Sequence, residues 1–435
     1  MLNTPQPVGA NEKPNALSVR NFRLFFVGLL ISVTGPWMQT TAQAWLVLQL
    51  TNSSLALATV ASLQFLPIML LALVGGAVAD RFPRRKLMFF TQSFAAAQAL
   101  VLGTLVVTDN LTIWHIYVLA ITLGIINALD NPLRTAFVGE LVGLKAMPNA
   151  IALVSMVQNM GRIVGPAIGG IALATFGVGT AFFLNAATFL AILSALVMIR
   201  GSELQVARFT GKQSVLSQIG EGIGYARKTP TILFLLIAAA FIGMFGQNFT
   251  TMVPLVSNFL VHASPAEFGL LNSCLGAGSF LAALSLTRRG APSTWRVLGS
   301  GLAFGLLLLG ISLSRNLWIS GVLFIAVGAA AITFTASVST SLQIQSPPDM
   351  RGRFASMMHL LITGSSPIGA MMTGLVAESF GVATSLAANG LFCCIGMALA
   401  WFYLRKVRGS GGFDLGVAPL APPASDAAKS IKLAT

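Results

Sequence analysis

Charge is scarce in this sequence, and negative charge is scarcer than positive charge. Only 9% of the 435 residues are charged, with 12 Asp and Glu against 26 Lys and Arg. A soluble globular domain carries about 25% charged residues, whereas 55% of this chain is hydrophobic. A soluble protein of this length is therefore excluded, because its core could not cover so much apolar surface. Lipid is the predicted solvent for most of the chain.

Cysteines and catalytic motifs are also few. Cys274, Cys393 and Cys394 lie in apolar runs without the spacing of metal ligands, so neither a disulfide nor a metal site is predicted. The sequence contains no HExxH, no paired intramembrane Asp and no glycine-rich nucleotide loop. These absences argue against a membrane-embedded enzyme and against ATP as the direct energy source. We expect no bound cofactor.

Long apolar runs are what the chain has in abundance. A membrane-spanning helix needs about 20 mostly apolar residues. The sequence predicts an all-α membrane protein of twelve such helices, at 22–50, 54–80, 86–108, 112–138, 147–176, 179–200, 231–260, 265–287, 294–313, 316–343, 352–379 and 382–404.

A long polar stretch near the middle divides these helices into two sets of six. Part of the stretch has helical apolar spacing and predicts a helix along the inner membrane surface, and the end of the chain is rich in Gly, Ala and Pro. The predicted regions are a cytoplasmic N-terminal tail (1–21), an N-terminal bundle (22–200), the cytoplasmic linker (201–230), a C-terminal bundle (231–405) and a disordered cytoplasmic tail (406–435).

The positive charges are distributed unevenly across the predicted topology. Nearly all of the 26 Lys and Arg residues fall in the tails and in one alternate set of loops. The opposite loops hold only Arg315, and Arg134 and Arg162 fall inside apolar runs. This positive-inside bias places both termini in the cytoplasm. The net charge of +14 is thus a topological signal, and we expect no nucleic-acid partner.

The two halves of the chain also resemble each other. Residues 175–186 read TFGVGTAFFLNA, and residues 379–390 read SFGVATSLAANG. The same offset pairs Gly165 with Gly369. Because the offset spans six helices, an even number, the repeats have the same orientation. Two parallel six-helix repeats are the arrangement of one large class of transporters.

A charged motif lies between the second and third predicted helices. The sequence there is GAVADRFPRRK, and it contains Gly76, Asp80, Arg81, Arg84 and Arg85. A glycine permits close helix approach, and an aspartate suits the positive N-terminus of another helix. The alternative is that these residues are only positive-inside charges.

This loop resembles the GxxxDRxxRR signature of the major facilitator superfamily. The resemblance implies two parallel six-helix bundles that alternate between two open sides. It also implies that Asp80 meets the terminus of helix 11 and that Arg84 meets an acid at the end of helix 4, for which Glu140 is the matching residue. Such a latch would hold the cytoplasmic side shut.

A glycine-rich motif lies in the fifth predicted helix. Its residues are Gly161, Gly165, Pro166, Gly169 and Gly170. Small residues at every fourth position give a flat packing face, and the proline bends the helix. The motif resembles the GxxxGPxxGG signature of exporters of the superfamily, mainly substrate/proton antiporters. The alternative is that the motif is only a helix-packing face and says nothing about the direction of transport.

Four titratable or charged residues are candidates for coupling. Asp130 is the one acid placed within a membrane segment away from its ends, and it is spaced i,i+4 from Arg134. It either takes up protons or forms a permanent salt bridge with Arg134 or Arg162. Arg162 is expected to face the bundle interior with a partner, in a substrate, coupling or structural role. His359 is either a proton carrier or a packed histidine.

Polar residues in mid-helix mark a predicted substrate path. They are surrounded by many Phe and Met side chains, which suit amphipathic cargo because they repack around varied shapes. The alternative is that they form hydrogen bonds between helices. The candidates are Gln39, Gln43, Gln64, Gln158, Asn159, Gln247 and Asn248.

Longer stretches of sequence narrow the resemblance to one branch of the superfamily. DNPLRTAFVGELV, GRIVGPAIGG, FFLNAATF and EGIGYARKTP are similar to the branch of the enterobactin exporter and related transmembrane secretion effectors. That similarity implies export of small amphipathic, siderophore-like or drug-like molecules by proton antiport, from a monomer in the bacterial inner membrane. An importer or a lipid-moving carrier of the same fold is the main alternative. A receptor without flux is a further one.

Overall fold

The structure is a computed structural model that describes residues 15–205, 224–347 and 350–408, without the side chains of residues 72–74, 77, 79 and 80. In this part of the chain, eleven helical stretches are long and apolar enough to cross a membrane. We number the crossing helices as α1 (Arg20–Thr51), α2 (Ser54–Arg81), α3 (Arg84–Val107), α4 and α5 (both within Ile113–Phe176), α6 (Val178–Met198), α7 (Pro230–Leu260), α8 (Pro265–Leu286), α9 (Thr294–Leu313), α10 (Leu317–Gln345), α11 (Arg351–Phe380) and α12 (Val382–Arg408).

Gly143 divides the longest stretch into two crossings. An unbroken helix of 64 residues would reach about 96 Å, roughly three times the thickness of a bilayer core. Gly143 has φ 70° and ψ 173°, so α4 ends at residue 142 and α5 begins at residue 144. The described chain therefore crosses twelve times, which confirms the predicted fold class. The longer loop predicted between 138 and 147 is wrong, because glycine tolerates a positive φ and allows a break at one residue.

At the C-terminal end of the described chain, the structure departs from the predicted regions. α12 continues to Arg408, three residues beyond the predicted end of the C-terminal bundle. Arg405, Lys406 and Arg408 suit a helix C-terminus, where the partial charge is negative. The rest of the predicted disordered tail and most of the predicted surface helix in the linker lie outside the described residues. Residues 224–228, directly before α7, are helical.

Two glycines show that the halves are structural repeats as well as sequence repeats. Gly177 precedes α6 with φ 82° and ψ 171°, and Gly381 precedes α12 with φ 86° and ψ 155°. These residues are equivalent under the offset read from the sequence. Both adopt a backbone conformation that L-residues with a Cβ rarely reach.

A second glycine pair places equivalent helices in equivalent contacts. A Cβ on Gly165 of α5 would lie 2.7 Å from the Thr34 carbonyl oxygen of α1. A Cβ on Gly369 of α11 would meet the Met244 carbonyl oxygen of α7. α5 therefore packs on α1 as α11 packs on α7, which is the relation expected of two parallel repeats.

The two bundles meet along two helix pairs, α5 with α8 and α2 with α11. We call the end where α1 begins and α12 ends the terminal end, and the opposite end the remote end. Gly170 of α5 lies against Gly269 of α8, where a Cβ on Gly170 would lie 2.7 Å from the Gly269 Cα. The Ser273 hydroxyl on α8 donates to the Ile163 carbonyl oxygen on α5 at 3.0 Å. Both contacts lie in the half of α5 that approaches the remote end.

The α2–α11 pair is closed at the same end. The Ser62 hydroxyl on α2 donates to the Pro367 carbonyl oxygen on α11 at 2.8 Å. At the start of α2, the Ser54 and Leu55 amides donate to Oε2 of Glu378, near the end of α11, at 2.7 and 3.2 Å. A carboxylate of one bundle thus caps a helix N-terminus of the other, where it is favoured by the helix dipole. These described contacts hold the bundles together at the remote end.

Candidate functional site

Three adjoining cavities lie inside the described part of the molecule. A central cavity of about 280 Å³ lies between the bundles. A first-bundle cavity of about 310 Å³ shares Trp37, Phe65 and Thr250 with it. A second-bundle cavity of about 510 Å³ shares Arg162 and Phe249 with it. These shared residues place the three cavities next to one another, and each is close to the size range of small-molecule sites.

The glycine motif of α5 shapes the wall of the central cavity. Added Cβ atoms on Gly161 and Gly169 would lie 2.9 Å from Cγ1 of Val33 and 3.1 Å from Cα of Met38, both on α1. The α5 backbone therefore packs directly on α1 along this face, with Pro166 lining the cavity beside it. Gly170, one residue further around the helix, faces α8 of the other bundle instead.

Arg162 is positioned by this packing. It follows Gly161 in sequence, so its side chain leaves the helix beside the α1 contact and lines the central cavity. Its Cζ lies 5.7 Å from the ring centroid of Trp37 on α1 and 5.8 Å from that of Phe249 on α7. Aromatic faces at this distance attract a cation through their quadrupole. One ring comes from each bundle.

Among the described residues, Arg162 forms neither an ion pair nor a hydrogen bond. The partner expected for it inside the bundle, and the alternative of a fixed structural ion pair, are therefore not observed. The described acids are engaged elsewhere, apart from Asp109 in the loop after α3. Their partners are Arg134 for Asp130, Arg84 for Glu140, Arg200 for Glu203, the Ser264 amide for Glu267 and the start of α2 for Glu378.

Asp130 is buried and accepts three hydrogen bonds. Its Oδ1 accepts from the Thr91 hydroxyl and the Gln92 amide nitrogen of α3, each at 2.8 Å. Its Oδ2 pairs with Arg134 one turn along α4, also at 2.8 Å. Pro132 between them does not interrupt the helix. The pair lines the first-bundle cavity, with 4% of the Asp130 side chain exposed and 20% of the Arg134 side chain.

Charged residues of the loop motif make contacts within the first bundle. Nη1 of Arg84 pairs with Oε1 of Glu140, at the end of α4, at 2.8 Å. The Arg85 guanidinium donates to the Leu196 and Val197 carbonyl oxygens, at the end of α6, at 2.7 and 2.9 Å. These contacts tie the start of α3 to α4 and α6, so they brace one bundle and do not join the two.

The remaining residues of the loop motif are placed differently from one another. Arg81 is exposed at the end of α2, and the side chain of Asp80 lies outside the described residues. An added Cβ on Gly76 would meet no described atom within 4 Å, so the close helix approach predicted there is wrong for this conformation. Gly75 makes that approach instead, against the Ala128 carbonyl oxygen of α4. Adjacent residues of a helix point about 100° apart around its axis, so Gly75 and Gly76 lie on different faces of α2.

Several residues predicted for the substrate path form hydrogen bonds between helices. Buried Gln39 accepts from Asn185 of α6 and donates to Gln98 of α3 at 3.0 Å. Gln64 of α2 donates to Gln43 of α1 at 3.3 Å. Gln39 and Gln64 still line the first-bundle cavity, whereas Gln43 lines none of the three cavities.

The other predicted path residues divide in the same way. Gln158 lines the first-bundle cavity, and Gln247 and Asn248 line the central one. Asn159 is exposed, donates to the Ser155 carbonyl oxygen at 2.9 Å and lines none of the three cavities. His359 is exposed on the wall of the second-bundle cavity.

Comparison with known proteins assigns this architecture to a family. The model of the transmembrane secretion effectors matches residues 14–412. The chain belongs to this family. Its members are transporters of the major facilitator type, so this protein is a membrane transporter and not an enzyme.

Relatives of this chain include two siderophore transporters. The chain is 24% identical to the staphyloferrin A transporter of Staphylococcus aureus over 396 residues, covering 89% of this chain and 97% of that one. It is 26% identical to the enterobactin exporter of Shigella boydii over 398 residues, covering 89% and 93%. The identification of this branch from sequence motifs is confirmed.

A solved structure with the same fold is an inward-facing, unoccupied bacterial homologue of the human lysosomal transporter Spinster. The two superpose with a TM-score of 0.70 at 16% sequence identity, covering 90% of this chain and 99% of that one. At that identity the likeness concerns the fold alone.

Several residues of the candidate site and of the contacts between the bundles were not predicted from the sequence. Trp37 and Phe249 flank Arg162, and Asn272 of α8 lines the central cavity. Glu378 joins the bundles at the remote end. The chain contains 29 Phe and 6 Trp, so the residue type of Trp37 and Phe249 carried no signal, and no motif marks Glu378. The non-helical turn at Gln247 and Asn248, after a π-helical turn (Ile242–Gly246), exposes this part of α7 to the cavity.

Proposed function

We propose that this protein exports a small amphipathic molecule from the cytoplasm across the bacterial inner membrane. Transport proceeds by alternating access of the two bundles and is driven by the proton gradient. The terminal end faces the cytoplasm, where the positive-inside rule places the abundant Lys and Arg residues.

One observation carries this proposal: the described contacts that join the bundles beside the cavities lie towards the remote end. The described contacts between bundles gather at the remote end, at Gly170–Gly269 and Glu378–Ser54. The second-bundle cavity instead reaches Ala355, one turn from the start of α11 at the terminal end. With that end in the cytoplasm, the binding cavity receives its cargo from inside the cell, as an exporter requires.

The relatives support the direction and the size of the cargo. One is named for staphyloferrin A and another for the export of enterobactin, and both cover nearly the whole chain. A siderophore-like or drug-like molecule agrees with a cavity whose walls combine Trp37, Phe65 and Phe268 with uncharged polar side chains. A few placed polar groups within an apolar wall are typical of small-molecule sites.

Proton coupling requires a titratable group that makes a contact in only one of the two conformations of the transporter. Protonation of that group must change the contact. We propose Asp130, because it is a buried carboxylate on the wall of the first-bundle cavity and its partner Arg134 lies on the same wall. Proton uptake would release Arg134, and proton loss would restore the pair.

Everted membrane vesicles test the direction and the energy source together. The vesicle interior corresponds to the outside of the cell, so an energised exporter accumulates a labelled siderophore-like substrate there. A protonophore is expected to abolish this accumulation. Accumulation that persists with the protonophore would refute proton antiport. Accumulation seen only in right-side-out vesicles would identify an importer instead.

A further inference from the structure

Arg162 is a cation in the transport cavity for which the described protein supplies no anion. Among the described residues, it is the only charged one on the wall of the central cavity, and His359 is the only other titratable one on the second-bundle wall. A cation removed from bulk water is costly unless it is paired or remains hydrated. Here Trp37 and Phe249 provide the attraction that an internal carboxylate would otherwise provide.

The guanidinium therefore keeps its hydrogen-bond donors available to the cavity. It carries five N–H donors in a planar fork that matches a carboxylate or a similar oxyanion. The Trp37 and Phe249 ring centroids lie 5.7 and 5.8 Å from Cζ, and no described acceptor bonds to the guanidinium, so its donors stay free for a ligand. An apolar or aromatic body next to the oxyanion would contact the same Trp37 and Phe249 rings.

A second unpartnered atom lies in the same cavity. Asn248 is 2% exposed, and its Oδ1 accepts no hydrogen bond, while its Nδ2 donates to the Met244 carbonyl oxygen at 2.7 Å. Buried polar atoms without a partner are rare in folded proteins. An acceptor of this kind is suited to a hydroxyl or N–H donor of the cargo.

We propose that Arg162, Trp37 and Phe249 form the recognition site for an organic anion. The substrate class is an amphipathic molecule with a carboxylate or similar oxyanion next to an apolar, preferably aromatic, body and with a hydrogen-bond donor for Asn248. The site selects against cationic amphiphiles for two reasons. Arg162 would repel their charge, and the described wall of the central cavity carries no carboxylate that could attract it. This inference rests on the proposed function only in placing the transport site in this cavity.

Equilibrium binding to the purified full-length protein tests the site without any gradient. Calorimetric titration in neutral detergent compares 2-naphthoate, 2-naphthamide and 2-naphthylmethylammonium, which share one aromatic body and differ in the charge of the head group. The anion is expected to bind at least about ten-fold more tightly than the other two probes. Equal affinities for the three probes would overturn the proposal.

Variants assign the preference to the arginine. Arg162→Gln is expected to remove the preference for the anion, and Arg162→Lys to retain part of it. Arg315→Gln is the matched control, because Arg315 lies at the remote end and donates only to the nearby Ser312 and Ser314 carbonyl oxygens. An anion preference that survives in Arg162→Gln would also overturn the proposal.

A second variant serves if Arg162→Gln does not fold. Asn272→Asp keeps the side-chain shape and adds a carboxylate to the same cavity wall. It is expected to abolish the anion preference, and an unchanged preference would contradict the site. Failure of the export assay with an intact anion preference would overturn only the proposed transport direction or coupling. Loss of the preference with intact export would overturn only the anion site.

Discussion

At the scale of single residues, two arginines of the candidate site, Arg134 and Arg162, have opposite surroundings. Arg134 has an internal counter-ion in Asp130, and that carboxylate is held by two further donors from α3. Arg162 has two aromatic rings and no described counter-ion. The first arrangement suits a pair that opens and closes with protonation, and the second suits a charge that binds cargo.

Asp130→Asn is expected to abolish gradient-driven uptake into everted vesicles while substrate exchange without a gradient continues. The amide cannot take up a proton, so it cannot convert the gradient into a change of partner. The measurement compares uptake driven by a pH gradient with exchange of labelled for unlabelled substrate. Unchanged gradient-driven uptake would remove Asp130 from the coupling mechanism.

Loss of fold is the competing explanation for that variant. Replacing one member of a buried pair leaves the other charge without compensation. The double variant Asp130→Asn, Arg134→Gln removes both charges, so it is expected to melt at a higher temperature than Asp130→Asn alone. If the double variant is stable and also lacks gradient-driven uptake, the loss belongs to coupling and not to folding.

At the scale of helices, α5 performs two packing tasks with one glycine-rich motif. Gly161 and Gly169 bring it against α1 in its own bundle, and Gly170 brings it against α8 in the other bundle. The first contact places Arg162 beside Trp37, and the second seals the remote end. A change in this motif should therefore affect the conformational equilibrium as well as stability.

Gly170→Leu is expected to open the remote end. Its Cβ would lie 2.7 Å from the Gly269 Cα, which is too close for both helices to keep their positions. Overpacking costs about 1–3 kcal/mol, which corresponds to a shift of roughly 5- to 150-fold towards the state that is open at the remote end. A cysteine introduced at Thr40 in a background without native cysteines should then react faster with an impermeant maleimide added outside the cell.

The matched control for this variant is Gly299→Leu. Gly299 lies on α9, and an added Cβ there meets no described atom within 4 Å. Labelling at the introduced cysteine should stay at the level of the parent protein. Equal labelling in Gly170→Leu and Gly299→Leu would show that the Gly170–Gly269 contact does not control opening.

At the scale of the whole molecule, two six-helix bundles are held at one end by a small number of contacts between them. Among the described contacts between the bundles, one polar contact includes a charged group. It joins Glu378 on α11 to the start of α2. It has the same chemistry as the contact expected of Asp80 with helix 11 at the terminal end: a carboxylate of one bundle on a helix N-terminus of the other.

Glu378→Gln is expected to weaken closure of the remote end. A charge at a helix N-terminus contributes about 0.3–1 kcal/mol, so the equilibrium should shift by roughly two- to five-fold towards the open state. Distances between spin labels on α2 and α11 at the remote end measure the shift. Glu267→Gln is the control, because Glu267 bonds to the Ser264 amide at the start of its own helix and joins no bundles. Equal distance distributions for both variants would contradict the role of Glu378.

The orientation of the molecule can be tested at the loops. Asp109 and Arg315 lie in loops at the remote end, so cysteines placed there should react with an impermeant maleimide added to intact cells. A cysteine at Gly290, in a loop at the terminal end, should react only in everted vesicles. The reverse pattern would invert the topology and with it the proposed direction of transport.

Much of the fold could be predicted from the sequence because the bilayer makes demands that are local in sequence. Runs of about 20 apolar residues must be helices, since backbone groups in lipid have to be paired within the segment. The repeat of 175–186 at 379–390 predicted the parallel bundles, and Gly177 and Gly381 show that equivalent residues keep equivalent backbones. A break between 138 and 147 was predicted, but its restriction to the single residue Gly143 was not, because one glycine in an apolar run carries no distinct signal.

The sequence by itself determined that this protein crosses a membrane twelve times, which loops carry the positive charge and which helix carries the glycine face. Only the tertiary structure decided what each polar side chain does. Asp130 and Arg162 are both charged residues within apolar helices, and the sequence left open whether the two pair with each other. The packing of α3 on α4 surrounds Asp130 with donors, whereas the packing of α1 and α7 around α5 gives Arg162 two aromatic rings and an open cavity. Such contacts join residues far apart in the chain, and their geometry depends on how whole helices pack.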